Sequence, residues 1–529
     1  MQSPGRELVR SFDGLTNAQQ GANNFGTVEP PDQGLCVGNG YVIETVNVAL
    51  RVYDTQGRAL SPTIPMSQFL GYPRDGTTFQ TDPSCYYDSD SNRWFHVVMT
   101  LGIDQTTFGF TTPVLMEVGV SQTGNPLGGW LYYTIPTQND GTDGTPDFDC
   151  TPPPCFGDFP HFTVDHNGFY LSANEFSTDE SSYGGVEIYA VSKQQLIAGS
   201  QHPNIVQFGQ FDNPSGDIAY KVWPALTPSG QGQAVYFVST PGCDACPGDH
   251  RLIVWALPNT STLASLHPDL RLMSSVVEVM PFTYSGTVEQ RPGPVPLADC
   301  INDTTAPTPT GPGCWRYWLL NEPAHNEVES RLDVVGDINQ VFFANGRLWT
   351  AQNTTLDVAG DQKTGIAWYI IQPSIKAGAL NAVVEHEGQF GVAHNNLIFP
   401  TAAVTNTGHG VLSFTLVGED YYPSAAYAPL SGSGVGDVRV AASGLGPVDG
   451  FTGYNSLSEP ARQRFGDYGA AVAANGSIWF ASEYIGQTCT LNEYLMDTKP
   501  SPIGTCHGTR RGFGNWYTRV SRVDPAKLD

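Results

Sequence analysis

Again and again along this chain an aspartate opens a run of β-prone residues, a tight turn reverses it, and a second β-prone run carries the chain back. The fullest copy runs from Asp467 through Asn475-Gly476 to Glu483. Asn-Gly supplies the two φ > 0 positions that a two-residue hairpin demands. The same order recurs from Asp158 through Asn167-Gly168 to Glu175 and from Asp337 through Asn345-Gly346 to Asn353. It recurs more loosely from Asp32 through Asn39-Gly40 to Asn47. Divergent copies follow Asp82 (turn near Ser91-Asn92), Pro224 (turn near residues 230–232) and Pro400 (turn at His409-Gly410). That makes about seven copies at spacings of roughly 50 to 110 residues, the signature of a propeller built from four-stranded sheets.

The expected fold is therefore all-β: a seven-bladed β-propeller forming one domain over residues 1–529. Residues 7–15 read as a lone strand before the first copy, and residues 515–523 as another after the last. Placing both in one sheet would close the ring between the N- and C-terminal strands and remove exposed edges. Long inserted loops near 134–156 and 286–330 are rich in turn residues, and such loops are where specificity usually sits. Helix signals are confined to residues 192–198 and 525–528.

Composition narrows the functions. Only 14% of residues are charged, and the net charge is −26; nucleic acids and anionic membrane surfaces both call for basic patches. No run of about 18 apolar residues exists to span a bilayer. Ten cysteines suggest an oxidising compartment. They fall into local couples: Cys150 with Cys155, Cys243 with Cys246, Cys300 with Cys314 and Cys489 with Cys506, leaving Cys36 with Cys85. Spacing alone does not fix connectivity, and half a zinc site at Cys243-Asp-Ala-Cys246 is the competing reading. Met1-Gln-Ser-Pro-Gly reads as the start of a mature chain whose export signal has been removed, so the protein is expected to be secreted, and monomeric. Sequons lie at Asn259, Asn302, Asn353 and Asn475.

In a propeller the first strand of each blade lines the channel and the second runs back beside it, so strand-one openers and strand-two closers share a rim. The openers are Asp32, Asp82, Asp158, Asp337 and Asp467; the closers are Asn47, Glu175, Asn353 and Glu483. This oxygen-rich ring suits Ca²⁺, with the five aspartates as ligands. Alternatively, two carboxylates act as an acid and base, since crowded like charges push pKa values apart. The plainer alternative is that a strand-opening Asp caps a turn. Glu175 and Glu483 are less easily explained that way, and with Asp158 and His161 they are the catalytic candidates. Arg464, three residues before Asp467, is placed to hold that carboxylate in an ion pair. Tyr86, Tyr87, Trp223, Trp315 and Tyr484 are candidates for stacking on sugar rings, or fill gaps between blades. There is no Gly-x-Ser-x-Gly elbow, phosphate-binding loop, His-Glu-x-x-His helix or four-histidine iron pattern.

Thr81-Asp-Pro with Tyr87-Asp88 and Asn92-Arg-Trp-Phe, Gly157-Asp-Phe-Pro, and Arg464-Phe-Gly-Asp-Tyr resemble the blade motifs of secreted bacterial seven-bladed propeller proteins. Those motifs are structural, so the resemblance implies a fold and no activity. Sialidases share the architecture, but their Ser-x-Asp-x-Gly-x-x-Trp boxes and arginine triad are missing here. The expected function is an extracellular glycoside hydrolase or polysaccharide lyase acting on a glycan, with Ca²⁺ as the expected cofactor. The alternative is a non-catalytic scaffold or small-molecule-binding propeller whose carboxylates hold a structural ion.

Overall fold

The computed structural model describes residues 7–22, 26–148, 152–179, 181–227, 234–242, 248–284, 286–302, 307–308, 311–312, 331–334, 336–450, 452, 463–496 and 504–528. Nearly all regular structure is β, arranged as antiparallel meanders in which chain neighbours are sheet neighbours. The first strands of these meanders are β1 (Gly34–Gly38), β2 (Thr78–Asp88), β3 (Cys155–Val164), β4 (Trp223–Leu226), β5 (Ile338–Ala344), β6 (Asn395–Val404) and β7 (Ala470–Ala474). β4 and β5 also pair in parallel, Ala225 opposite Val341, which fuses their meanders into one eight-stranded sheet. β1 contacts β2, β2 contacts β3, and so on to β7, which contacts β1.

The sheet begun by β7 continues through Ser477–Tyr484 and Tyr517–Val523 and ends on Leu8–Thr16. The first strand of the chain thus pairs antiparallel with the last, Leu8 opposite Val523 and Phe12 opposite Val520. Glu44, fully buried, accepts hydrogen bonds there from the Leu15 N–H (2.7 Å), the Tyr53 hydroxyl and the Thr518 hydroxyl.

Turn chemistry sets each register. Asn39-Gly40, Asn345-Gly346 and Asn475-Gly476 all adopt the left-handed conformation at both positions, with φ of 46° and 85°, 54° and 71°, and 50° and 74°; only a side chain as small as Asn or Gly tolerates it cheaply. The third copy departs from expectation. The Asp165 carboxylate accepts the N–H groups of Asn167 and Gly168, both at 2.7 Å, and the Asp165 N–H donates to the Gly168 carbonyl. The turn therefore centres on His166-Asn167, one residue early. Asn174 comes opposite Asp158, and Glu175 opposite Gly157. In the sixth copy the turn occupies residues 405–408, and His409 already opens the second strand.

Between the sheets lie large side chains from the start of second strands: Trp94, Trp349 and Trp479, at 0%, 2% and 2% exposure. Helices are few and short. Lys193–Ile197 is capped by the Ser192 hydroxyl, and Pro525–Lys527 by Asp524. Within the 286–330 insertion, expected as loop, Pro296–Asn302 is helical. Disulfides join Cys36 to Cys85, tying β1 to β2, and Cys489 to Cys506. Cys155 and Cys300 are also disulfide-bonded; Cys150, Cys243, Cys246 and Cys314 lie outside the described residues. Asn353, a sequon residue, is fully buried, its amide donating to the Gly365 and Leu397 carbonyls, which leaves no room for a glycan. No helix among the described residues is long and apolar enough to cross a membrane.

Candidate functional site

Most of the openers and closers divide into structural latches and a carboxylate cluster. Asn47 illustrates the latch. Its carboxamide oxygen accepts the Asp82 N–H (2.7 Å) and the Thr81 hydroxyl (2.9 Å), and its NH₂ donates to Asp32 (2.8 Å) and to the Pro30 carbonyl. Asn174 accepts the Lys221 N–H (3.1 Å), and Asn353 accepts the Phe399 N–H (3.1 Å). In every case the N–H belongs to a left-handed residue of the next meander, inside its first strand at Asp82 (φ 54°) and Phe399 (φ 56°) and just before it at Lys221 (φ 44°). A buried N–H without a partner is costly, so these asparagines stitch sheet to sheet.

The cluster gathers Asp32, Asp82, Asp158, Asp467 and Glu483. Asp32 is buried, and its second oxygen accepts the Asp467 N–H at 3.1 Å. Asp82 is half-buried and shares a hydrogen bond with Asp158. Arg464 forms an ion pair with Asp467. Burial, then the neighbouring Asp467 charge, pushes the Asp32 carboxyl well above the usual range. Burial, with Asp32 and Asp467 adding, lifts Asp82 to about 7. Glu483, 3% exposed, is held far up by burial and then by Asp32, Glu29 and Asp467. Five carboxyl groups thus share a partly dry space with Arg464, and near neutrality several hold protons.

Asp337 sits apart from them. It is fully buried, with its carboxylate 3.0 Å from the Lys221 ammonium and 3.2 Å from the Thr240 hydroxyl. A calcium role for Asp337 would compete with that lysine. Lys221 escaped the sequence reading because its meander lacks an Asn-Gly turn; the only signal was Lys221-Val-Trp-Pro standing where other copies carry an acid. His161, 6% exposed, stacks on Trp223 with ring centres 3.5 Å apart and meets Phe159 and Tyr468 edge-on. Burial, with the Lys221 charge adding, keeps it neutral. These rings fill the space between the first strands, leaving a cavity of about 50 Å³ lined by Gln33, Ser84, His161, Trp223, Gln340 and Tyr468 among others.

Glu175 does not reach the cluster. The one-residue shift of its hairpin turns it onto the other face of the sheet, beside Glu187. The proposed sugar-stacking aromatics are also otherwise engaged: Tyr86 and Tyr484 are buried, with hydroxyls on the Thr227 carbonyl and on Asp13, Tyr87 donates to Asn92, and Trp223 lies under His161. Trp315 lies outside the described residues. Among the described residues, the trio that brings ligand atoms within 4.8 Å of one another is Asp361, His394 and Glu419, all exposed and not part of the predicted rim.

No protein-family model matches the chain, and no curated protein matches it in sequence. Among solved structures it is similar to the endosialidase of phage phi92, at 9% identity over 97% of this chain and 69% of that one, with a TM-score of 0.37. It is similar to a protein of unknown function from Dyadobacter fermentans, at 8% identity over 98% of this chain and 100% of that one, with a TM-score of 0.32. A GH43 β-1,3-galactosidase matches at 10% identity over 72% and 98%, with a TM-score of 0.32. At these values the likenesses assign neither activity nor residues.

Proposed function

We propose that the chain is a secreted, seven-bladed β-propeller, its ring closed by the pairing of the first and last strands, that cleaves a glycan by proton transfer at the carboxylate cluster. The cyclic order of contacts from β1 to β7 and back to β1 supports the architecture, and the disulfides support an oxidising compartment. The observation that carries the chemistry is the unequal state of the clustered carboxyls. Asp82, lifted to about 7 by burial and its neighbours, still holds a proton near neutrality, while Asp467 stands beside the Arg464 guanidinium. Breaking a glycosidic bond, or eliminating across a uronate, needs a carboxyl that donates a proton and another group that accepts one. Asp82, Asp158 and Asp467 are the half-buried members that substrate could touch; Asp32 and Glu483 are buried, and burial with the Asp32 and Asp467 charges keeps Asp82 protonated.

The test is a panel of neutral and uronate-containing polysaccharides, scored for new reducing ends and for the ultraviolet absorbance of unsaturated products. Asp82→Asn should lower turnover of a cleaved glycan by about 10²-fold or more while the circular dichroism spectrum stays unchanged. Cleavage by the variant at the native rate would sink the assignment.

A non-catalytic reading is favoured by one observation: the aromatic plug of Phe159, His161, Trp223 and Tyr468 closes the channel just inside the cluster. There the same carboxyls would exchange their protons for a Ca²⁺ ion. Elemental analysis with melting before and after EDTA separates the two, because a stoichiometric ion lost on Asp467→Ala belongs to this second reading.

A further inference from the structure

Glu175 and Glu187 stand diagonally on adjacent strands of the β3 sheet, Glu175 opposite Gly185 and Glu187 opposite Ala173, both fully buried. Bare backbone packs against them on either side: a Cβ on Gly157 would lie 3.4 Å from Glu175, and one on Gly209 would lie 3.2 Å from Glu187. Residues 137–148 reach the pair through Asn139, and the Phe148 ring lies against Gly209 beside it. Asn139, fully buried, faces it, and the Phe148 N–H donates to the Asn139 carbonyl. The Phe148 carbonyl receives the Gln210 amide, and the Cys155 N–H donates to Gln138.

The groups that face Glu187 are donors. The Tyr189 hydroxyl donates to one oxygen and the Gln207 amide to the other, at 3.0 Å. Glu175 is different: neither oxygen takes a hydrogen bond of ordinary geometry, and what it faces is the Glu187 carboxylate and the Asn139 carboxamide. Tyr189 and Tyr183 are the other titratable neighbours, Tyr183 itself under the fields of Tyr220, Lys221 and Asp337. Asp140, Asp143 and Asp147 belong to residues 137–148, Asp143 accepting from Gln138. Two bare carboxylates in one dry space repel strongly, and the donors around Glu187 settle which of them keeps its charge.

We propose that Glu175 and Glu187 share one proton, carried by Glu175 and donated to the Glu187 carboxylate, and that this proton latches residues 137–148 onto the β3 sheet beside the rim. Burial, and then the Glu187 charge, holds the Glu175 carboxyl well above its ordinary value, as geometry alone would require. A carboxyl whose pKa is raised by folding stabilises the fold at low pH and withdraws that stability as pH climbs. The latch therefore loosens in alkali.

Glu175→Gln keeps the shape and a donor toward Glu187 but cannot ionise. Its melting temperature should exceed that of the native chain by a margin that widens from about pH 5 to about pH 9, reaching several degrees. Trypsin-independent cleavage by a broad-specificity protease within residues 137–148 should rise with pH in the native chain and stay low in the variant. Glu187→Gln, which leaves Tyr189 and Gln207 facing an amide, should melt lower at every pH. Three results would overturn the proposal. One is a pH-independent loss of stability in Glu175→Gln. Another is a bound metal whose removal lowers the native melting temperature but not that of the variant. The third, decisive even if Glu175→Gln does not fold, is native cleavage within 137–148 that does not change with pH.

Discussion

Asn47 places every polar atom of its side chain on a buried partner: an N–H and a hydroxyl of the next meander on its oxygen, a carboxyl and a carbonyl on its nitrogen. Truncating it strands the Asp82 N–H and removes a donor from Asp32. Asn47→Ala should lower unfolding free energy by about 1 to 3 kcal/mol, the cost of leaving buried polar groups unmatched, seen as a lower urea midpoint with an unchanged slope. Asn353→Ala should behave alike, since it too is fully buried and accepts the Phe399 N–H. Such positions were legible in the sequence because the Asn-Gly turn fixes how far along the return strand they stand. Arg464 was legible for a local reason, its spacing of three from Asp467. Lys221 was not, because its meander lacks the Asn-Gly turn that would have aligned it with the acids that open the other copies. The sequence singled out Asp337 and Asp82 alike, but did not show that Asp337 is claimed by an ammonium while Asp82 is left to its neighbours' charges.

Strands and turns were readable wherever backbone conformation dictates the residue, as at Asn475-Gly476, and were misread where a side chain overrode it. Asp165 is the clearest instance: by taking two turn N–H groups onto its carboxylate it moves the reversal by one residue, and period-two alternation then sends Glu175 to the opposite face. The helix Pro296–Asn302 was missed for a related reason, since its anchor is distant in sequence. The Asp449 carboxylate accepts the N–H groups of Leu297 (2.9 Å) and Ala298 (3.0 Å), and it is held by Arg510 at 2.5 Å; both side chains of that ion pair are 0% exposed. A seven-residue helix is too short to persist in water unaided, so it depends on this anchor. Arg510→Met leaves a buried carboxylate without its cation, and the expected loss is about 3 to 5 kcal/mol, read from urea unfolding. A cost below about 1 kcal/mol would mean that water reaches Asp449 and that the anchor is weaker than its geometry implies.

At the scale of the whole molecule, the repeat foretold meanders in sequence order and the meeting of the two chain ends, because local hairpins and unpaired edges leave few other arrangements. What it did not foretell is how much carboxylic acid the assembled sheets enclose. Burial lifts Glu29 to about 8, Glu44 to about 7 and Asp82 to about 7, and raises Asp32, Glu175 and Glu483 as well. For each, the folded value exceeds the unfolded one. Stability from these protons is therefore complete below about pH 4, where the unfolded chain is protonated too, and is withdrawn as pH rises through the folded values. Each such group contributes a slope of at most about 1.4 kcal/mol per pH unit within its window. Of the carboxyls with lowered values, Asp75 and Asp104 are exposed and oppose this only weakly, while buried Glu7, ion-paired with Arg439, opposes it more. The net charge of −26 grows more repulsive over the same range. The melting temperature should accordingly be highest in mild acid and fall steadily from about pH 5 to about pH 8, with added salt recovering the part that comes from long-range repulsion. Calorimetry across that range at two ionic strengths checks this directly. A flat profile that becomes steep only after EDTA would instead mean that a cation, and not protons, neutralises the rim, moving the balance from an acid–base site toward an ion-holding scaffold.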